Sequence, residues 1–205
     1  MSLDQKIYTS ICCLFSVLIV VGNMTYQKFV VLSFGGGYSI ELSVGAITYP
    51  LTFLLTDIIA ELYGKPRANF CVKLGVAMNI TVASIIALMT DLEATNWSKI
   101  DDEIFERVFG FYSLSFISSI IACYIAQLVD INLFMLIKKM TNGKFLWLRS
   151  ALSSTMSLFI DTSIVVSILA AFSIIPTDKA FLIISNSYVF KIFFIFGIAL
   201  FLQRR

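Results

Sequence analysis

The sequence predicts an all-α membrane protein: six transmembrane helices in a single domain spanning residues 1–205, with both termini in the cytosol. Three observations predict it. Of the 205 residues, 59% are hydrophobic and 14% charged, against roughly 45–50% and about 25% in a soluble domain. Six apolar runs are long enough to cross a ~30 Å hydrocarbon layer. Lys and Arg gather in the connections that such a layout places on one side, where cytosolic loops belong.

The first run extends from Ile7 to Phe34 and closes at the turn Gly35, Gly36 and Gly37. It is too long for a signal peptide, and no small-residue cleavage site follows it. The second runs from Leu42 to Tyr63, stops at Gly64, Lys65, Pro66 and Arg67, and carries Pro50 inside it. The third runs from Phe70 to Met89. The acidic connection Thr90–Arg107 has room for a short interfacial helix. The fourth run, Val108 to Ile137, is longer than a perpendicular span needs, so tilt or a cytosolic extension is expected. The fifth runs from Leu148 to Phe172. A turn at Pro176, Thr177 and Asp178 leads to the sixth, Ala180 to Leu202.

Charge sets the expected orientation. Lys65, Arg67, Lys73, Lys138, Lys139, Lys144, Arg149, Arg204 and Arg205 fall on one side of the six-helix layout. Asp91, Glu93, Asp101, Asp102, Glu103 and Glu106 fall on the other, with only Lys99 and Arg107 among them. The basic side is the cytosolic one.

Some charges lie where lipid should be: Lys28, Asp57, Glu61, Asp130, Asp161 and Lys191. A charge at the centre of a membrane helix costs roughly 2.5–3.5 kcal/mol on insertion scales, so each is a functional-site candidate. Lys28 and Glu61 lie near span ends and can reach water. Asp161 and Lys191 sit mid-span, as a structural ion pair or as ligand-handling groups. Polar stripes accompany the acids. Ser150, Ser154, Ser157 and Asp161 share one helical face. Thr48, Thr52 and Thr56 run beside Asp57. Ser115, Ser119, Cys123 and Gln127 lead to Asp130, and the first helix adds Asn23, Tyr26 and Gln27. Small residues at this spacing also let membrane helices pack closely, but packing does not explain the carboxylates. AQLVDINLF (Ala126–Phe134) and SLFIDTSIV (Ser157–Val165) carry an Asp in the same frame, a faint internal repeat.

The chain has no histidine, which excludes Ser-His-Asp, Cys-His and His-ligated metal chemistry. Its four cysteines, Cys12, Cys13, Cys71 and Cys123, form no CxxC pair and read as small apolar residues. Neither a catalytic group, a metal nor a cofactor is expected. Carboxylates, amides and hydroxyls aimed at one interior suit hydrogen bonding to a small, planar, NH-rich solute. A carboxylate accepts two parallel N–H bonds from an amidine-like edge. Tyr49, Phe53 and Tyr124 stand near enough in sequence to stack on a flat ring.

The run YPLTFLLTDIIAELYGKPRA (Tyr49–Ala68) resembles the hallmark of the queuosine-precursor transporters, the VUT or YhhQ-type family. So do AQLVDINLF, WLRSALSS from Trp147, FIDT from Phe159, and YVFK from Tyr188 to Lys191. The matches keep the family's order over nearly the whole chain. The resemblance implies a six-helix importer of 7-deazaguanines (preQ0, preQ1 or queuine) for tRNA modification, in the inner (cytoplasmic) membrane. It carries the family's polar residues to Asn23, Asp57, Glu61, Gln127, Asp130, Asp161 and Lys191. One departure bears on the substrate: Leu158 stands where the family commonly has a Gln.

The expected substrate-binding residues are therefore Asn23, Tyr49, Thr52, Asp57, Gln127, Asp130, Asp161 and Lys191, with Glu61 the proton-coupling candidate. The expected partners are the 7-deazaguanine and the lipid bilayer, but no nucleic acid; the protein is expected to work alone or as a homodimer. The rival reading is a substrate-binding subunit of an energy-coupling-factor importer, which needs a separate ATPase module. An intramembrane aspartyl enzyme also needs paired acids, but the GxGD run of such enzymes is absent. A structural protein whose acids only pair with Lys28 and Lys191 is the remaining alternative.

Overall fold

Large apolar side chains point outward from the long helices. Val17, Ile80, Ile121, Phe159 and Phe193 are all exposed, an arrangement that suits lipid rather than water. The computed structural model describes residues 2–25, 28–34, 38–109, 114–173 and 177–203. Expectations placed on Tyr26, Gln27, Gly35–Gly37, Pro176, Arg204 and Arg205 lie outside the described residues.

In chain order the elements are α1 (Leu3–Thr25), β1 (Phe29–Phe34), β2 (Tyr38–Ser43), α2 (Gly45–Tyr63), α3 (Lys65–Thr90), α4 (Asp102–Phe109), α5 (Leu114–Met140), α6 (Leu146–Ala171) and α7 (Thr177–Gln203). Five of them, α1, α2, α3, α5 and α6, are long and apolar enough to cross a membrane. The apolar part of α7, Ala180–Ile195, is shorter.

Two expectations are corrected. The first apolar run is not one helix to Phe34: α1 ends at Thr25, and β1 pairs antiparallel with β2 from Phe29↔Ser43 to Phe34↔Tyr38. FVVLSF and YSIELS are rich in β-branched and aromatic residues and flank three glycines, which is a hairpin pattern. A short apolar run alone does not distinguish strand from helix. The fold is that of an all-α membrane protein with one β-hairpin between α1 and α2, and Lys28 lies exposed between α1 and β1, outside any helix. Second, α3 starts at Lys65, not Phe70. Gly64 takes the left-handed φ of 82° that joins α2 directly to α3, and Pro66 sits in the first turn of α3, where its missing N–H costs nothing. The short helix expected in the acidic connection is α4, whose first turn is held by Ile104 N–H donating to Asp101 Oδ1 at 2.8 Å.

α2 is the hub, touching α1, α3, α5, α6 and α7, while α5, α6 and α7 pack in sequence beside it. Phe15 and Ile19 of α1, Cys71 and Val72 of α3, and Ile59 of α2 form one continuous core with Ile131 and Phe134 of α5. The α1–α3 contact is close. A Cβ on Gly75 would stand 2.5 Å from Phe15 Cε1. Around the hub, a smaller apolar cluster of Phe53, Ala126, Ala151, Leu158 and Ile195 joins α2, α5, α6 and α7.

Candidate functional site

The polar stripes of α2, α5, α6 and α7 turn inward and form a column with three levels. At one end lies a cavity with about 750 Å³ of empty space, counting its open mouth. Its walls come from Asn23 at the end of α1, Ser43 of β2, Tyr49 of α2, Ser119 of α5, Asp161 of α6 and Lys191 of α7. Asp161 is its centre. The Tyr49 hydroxyl donates to Oδ1 at 2.8 Å, and the Lys191 ammonium donates to Oδ2 at 3.2 Å and to Thr162 Oγ1 at 2.8 Å. Lys191 also lies 5.1 Å from the centre of the Tyr49 ring, within cation–π range. Ser119 donates to Asn23 Oδ1 at 2.8 Å. Ala46 lines the same cavity, and Pro50 four residues on removes the N–H that would have bonded the Ala46 carbonyl.

The residues of the middle level do not line that cavity. Asp57 of α2 and Asp130 of α5 are buried, at 2% and 0% exposure, and Thr56, next to Asp57, donates to Gln127, one turn from Asp130, which brings the two positions together. Ser150 donates to Asp57 Oδ2 at 2.5 Å. Ser153, Ser154 and Ser157 of the same α6 stretch are buried. Yet Asp57 Oδ1, both Asp130 oxygens and Ser157 Oγ have no partner in hydrogen-bonding geometry. Beside them, Gln127 is fully used: it donates to Thr52 Oγ1 at 3.0 Å and accepts from Thr56 at 2.9 Å. Phe53 and Leu158 belong to the apolar cluster lying between this level and Asp161.

The far end is an ion cluster. Glu61 Oε2 lies 2.6 Å from Arg149 Nη2 and 3.0 Å from Lys138 Nζ. Arg149 is 1% exposed. It donates to the Gly143 carbonyl at 2.9 Å and stands over the Phe134 ring at 5.2 Å. Next to it, Arg67 lies over the rings of Tyr8 and Tyr63 at 5.6 and 5.4 Å. The Tyr8 hydroxyl donates to the Arg67 carbonyl at 3.0 Å, which ties α1 to the start of α3.

The nine predicted residues thus divide. Asn23, Tyr49, Asp161 and Lys191 meet at the cavity. Thr52, Asp57, Gln127 and Asp130 lie behind it and do not line it, because the α2 face that carries Thr52 and Asp57 turns into α5 and α6. Glu61 is apart from both, held by two cations. Sequence reasoning missed three participants. Arg149 read as a cytosolic loop charge, although it is buried. Ser43 was assigned to a helical span. Thr162 follows the Asp in FIDT and could have been found from that adjacency.

Five helices long and apolar enough to cross a membrane, with buried acids between them and a cavity lined by Asp161 and Lys191, define a multi-pass membrane protein. A family model described as "Putative vitamin uptake transporter" matches residues 43–203, and the chain belongs to that family. The chain is also 26% identical over 155 residues, 75% of its length and 67% of the relative's, to a protein of Bacillus subtilis (strain 168) described as "Probable queuosine precursor transporter". Both are transporters rather than enzymes, as the sequence reading expects. No solved structure matches the chain.

Proposed function

We propose that this protein imports a queuosine precursor, a 7-deazaguanine of the preQ0, preQ1 or queuine type, across the cytoplasmic membrane for tRNA modification. The observation that carries this reading is Asp161 in its cavity: a buried carboxylate flanked by an ammonium and a phenol, with the Asn23 amide lining the same cavity. A guanine-like ring offers an N1–H and a 2-amino group side by side. That edge fits the two oxygens of Asp161 in the fork geometry that carboxylates favour. On binding it takes over the positions that Tyr49 and Lys191 occupy. Those two groups and Asn23 are then free to donate to ring acceptors, and the Tyr49 face can stack on the ring. The name of the Bacillus subtilis relative supports the substrate class.

Six spans with both termini cytosolic place the cavity mouth, between the end of α1 and the start of α2, on the outer side. The Glu61–Lys138–Arg149 cluster then closes the inner side. In this orientation the protein stands open to the outside, ready to receive substrate.

The test is uptake by purified protein in liposomes, with preQ0, preQ1, queuine and guanine compared in parallel. A 7-deazaguanine is taken up in preference to guanine, and Asp161→Asn abolishes its uptake. Uptake of none of the three deazaguanines, or full activity of Asp161→Asn, overturns the reading.

A further inference from the structure

We infer that Asp57 and Asp130 form a proton-binding site, distinct from the substrate cavity, that exchanges one proton during transport; its role in transport rests on the proposed import function. Two carboxyl groups buried near one another within membrane helices cannot both carry full negative charge without a compensating cation. Among the described residues none is supplied: Lys191 is paired with Asp161, Lys138 and Arg149 are paired with Glu61, and no ion pair reaches either Asp57 or Asp130.

The groups facing the pair are otherwise neutral. α6 presents the buried Ser150, Ser153, Ser154 and Ser157, and the charges that flank this stretch, Arg149 and Asp161, are committed elsewhere. α5 presents Gln127, and α2 presents Thr56, with Glu61 one turn on. α7 contributes Ile195 to the apolar cluster beside them and Lys191 to Asp161. The core faces of α1 and α3 bring the thiols of Cys12 and Cys71 and apolar side chains. A proton held between one oxygen of Asp57 and one of Asp130 supplies the missing charge. It leaves the pair at −1, as in other paired carboxyl sites.

The unpaired oxygens favour exchange over a purely structural pair. A buried polar atom without a partner costs about 1–3 kcal/mol, and here four are clustered: Asp57 Oδ1, Asp130 Oδ1, Asp130 Oδ2 and Ser157 Oγ. The resting arrangement leaves acceptors free for a proton. Coupling to the substrate has a short route. Ser157 is one turn from Asp161 on the same face of α6, about 6 Å along the axis. Leu158 and Phe53 form the apolar layer between them. A shift of α6 that substrate causes at Asp161 moves Ser153, Ser154 and Ser157 against Asp130. The proton then passes to water on whichever side opens.

Infrared spectroscopy of the purified, unmodified protein tests the site without substrate. A protonated carboxyl stretch, moved by ¹³C-aspartate labelling and titrating with pH, supports it. The band disappears in Asp57→Asn and in Asp130→Asn and persists in Asp161→Asn. No aspartic acid band at any pH overturns the inference, as does a band that survives in both Asp57→Asn and Asp130→Asn. A band removed by sodium chloride at constant pH assigns the site to sodium and overturns the proton. Calorimetry of preQ1 binding in buffers of different ionisation heat then reads the coupling. The wild type shows buffer-dependent heat, and Asp57→Asn binds without it. Loss of binding itself in Asp57→Asn makes the pair part of the substrate site and overturns the separation. If the wild type binds no precursor, the import function fails while the infrared result still decides the site.

Discussion

Asp161 and Lys191 show how one pair of residues serves two purposes. They are the mid-membrane charges that the sequence left open as either a structural pair or ligand groups; they are paired at 3.2 Å and line a cavity, and the proposed function gives them the ligand role as well. The two roles separate experimentally. Lys191→Met leaves an unpaired carboxylate and lowers stability by about 3–5 kcal/mol. The double variant Asp161→Asn with Lys191→Met recovers most of that stability yet binds no precursor. Thermal unfolding in detergent beside a binding titration checks both halves. Glu61 admits a similar test. Removing its charge strands Arg149, which is 1% exposed, so Glu61→Gln destabilises by about 3 kcal/mol, and Arg149→Met in the same chain restores most of the loss. A stable Glu61→Gln protein whose uptake no longer follows the proton gradient would instead return Glu61 to the coupling role.

At the level of elements, close packing of α1 on α3 depends on Gly75. An added methyl meets the Phe15 ring at 2.5 Å, and Phe15 is fully buried. Gly75→Ala therefore costs about 1–3 kcal/mol through overpacking, and Phe15→Leu relieves it; denaturation of the single and double variants decides. The hairpin is the element that local sequence reading misplaced. Its residues are apolar enough to extend α1, and only their pairing and the three glycines between them mark strands. Long helices were legible because a 20-residue apolar run has few alternatives in a bilayer. Their starts and stops were less so: α3 begins inside a KPR segment that looks like a loop, because a proline in a first turn does not stop a helix.

At the level of the whole molecule, the column from Lys191 to Arg149 runs from an open cavity to a closed ion cluster. This is the arrangement expected of a transporter holding one side open. The proposed topology predicts that Ser98→Cys reacts with a membrane-impermeant thiol reagent from outside intact cells, whereas Asn142→Cys reacts only after permeabilisation, each in a Cys13→Ser background. The reverse pattern inverts the orientation and the direction assigned to the cavity. Transport by this chain alone predicts uptake into liposomes without ATP. Strict dependence on a co-purified ATPase would instead favour the energy-coupling-factor arrangement.

The sequence by itself determined that the chain is a helical membrane protein and that Asp57, Asp130, Asp161 and Lys191 need a reason to be there. Composition and the cost of buried charge suffice for that, since both are properties of single residues and runs. Which acid meets which partner was decided only by tertiary structure. Asp57 and Asp161 read alike along the chain, yet one faces a second buried carboxyl and the other a lysine and a cavity. Helix rotation and pairing make that difference, and they depend on packing among α2, α5, α6 and α7 that no single stretch encodes.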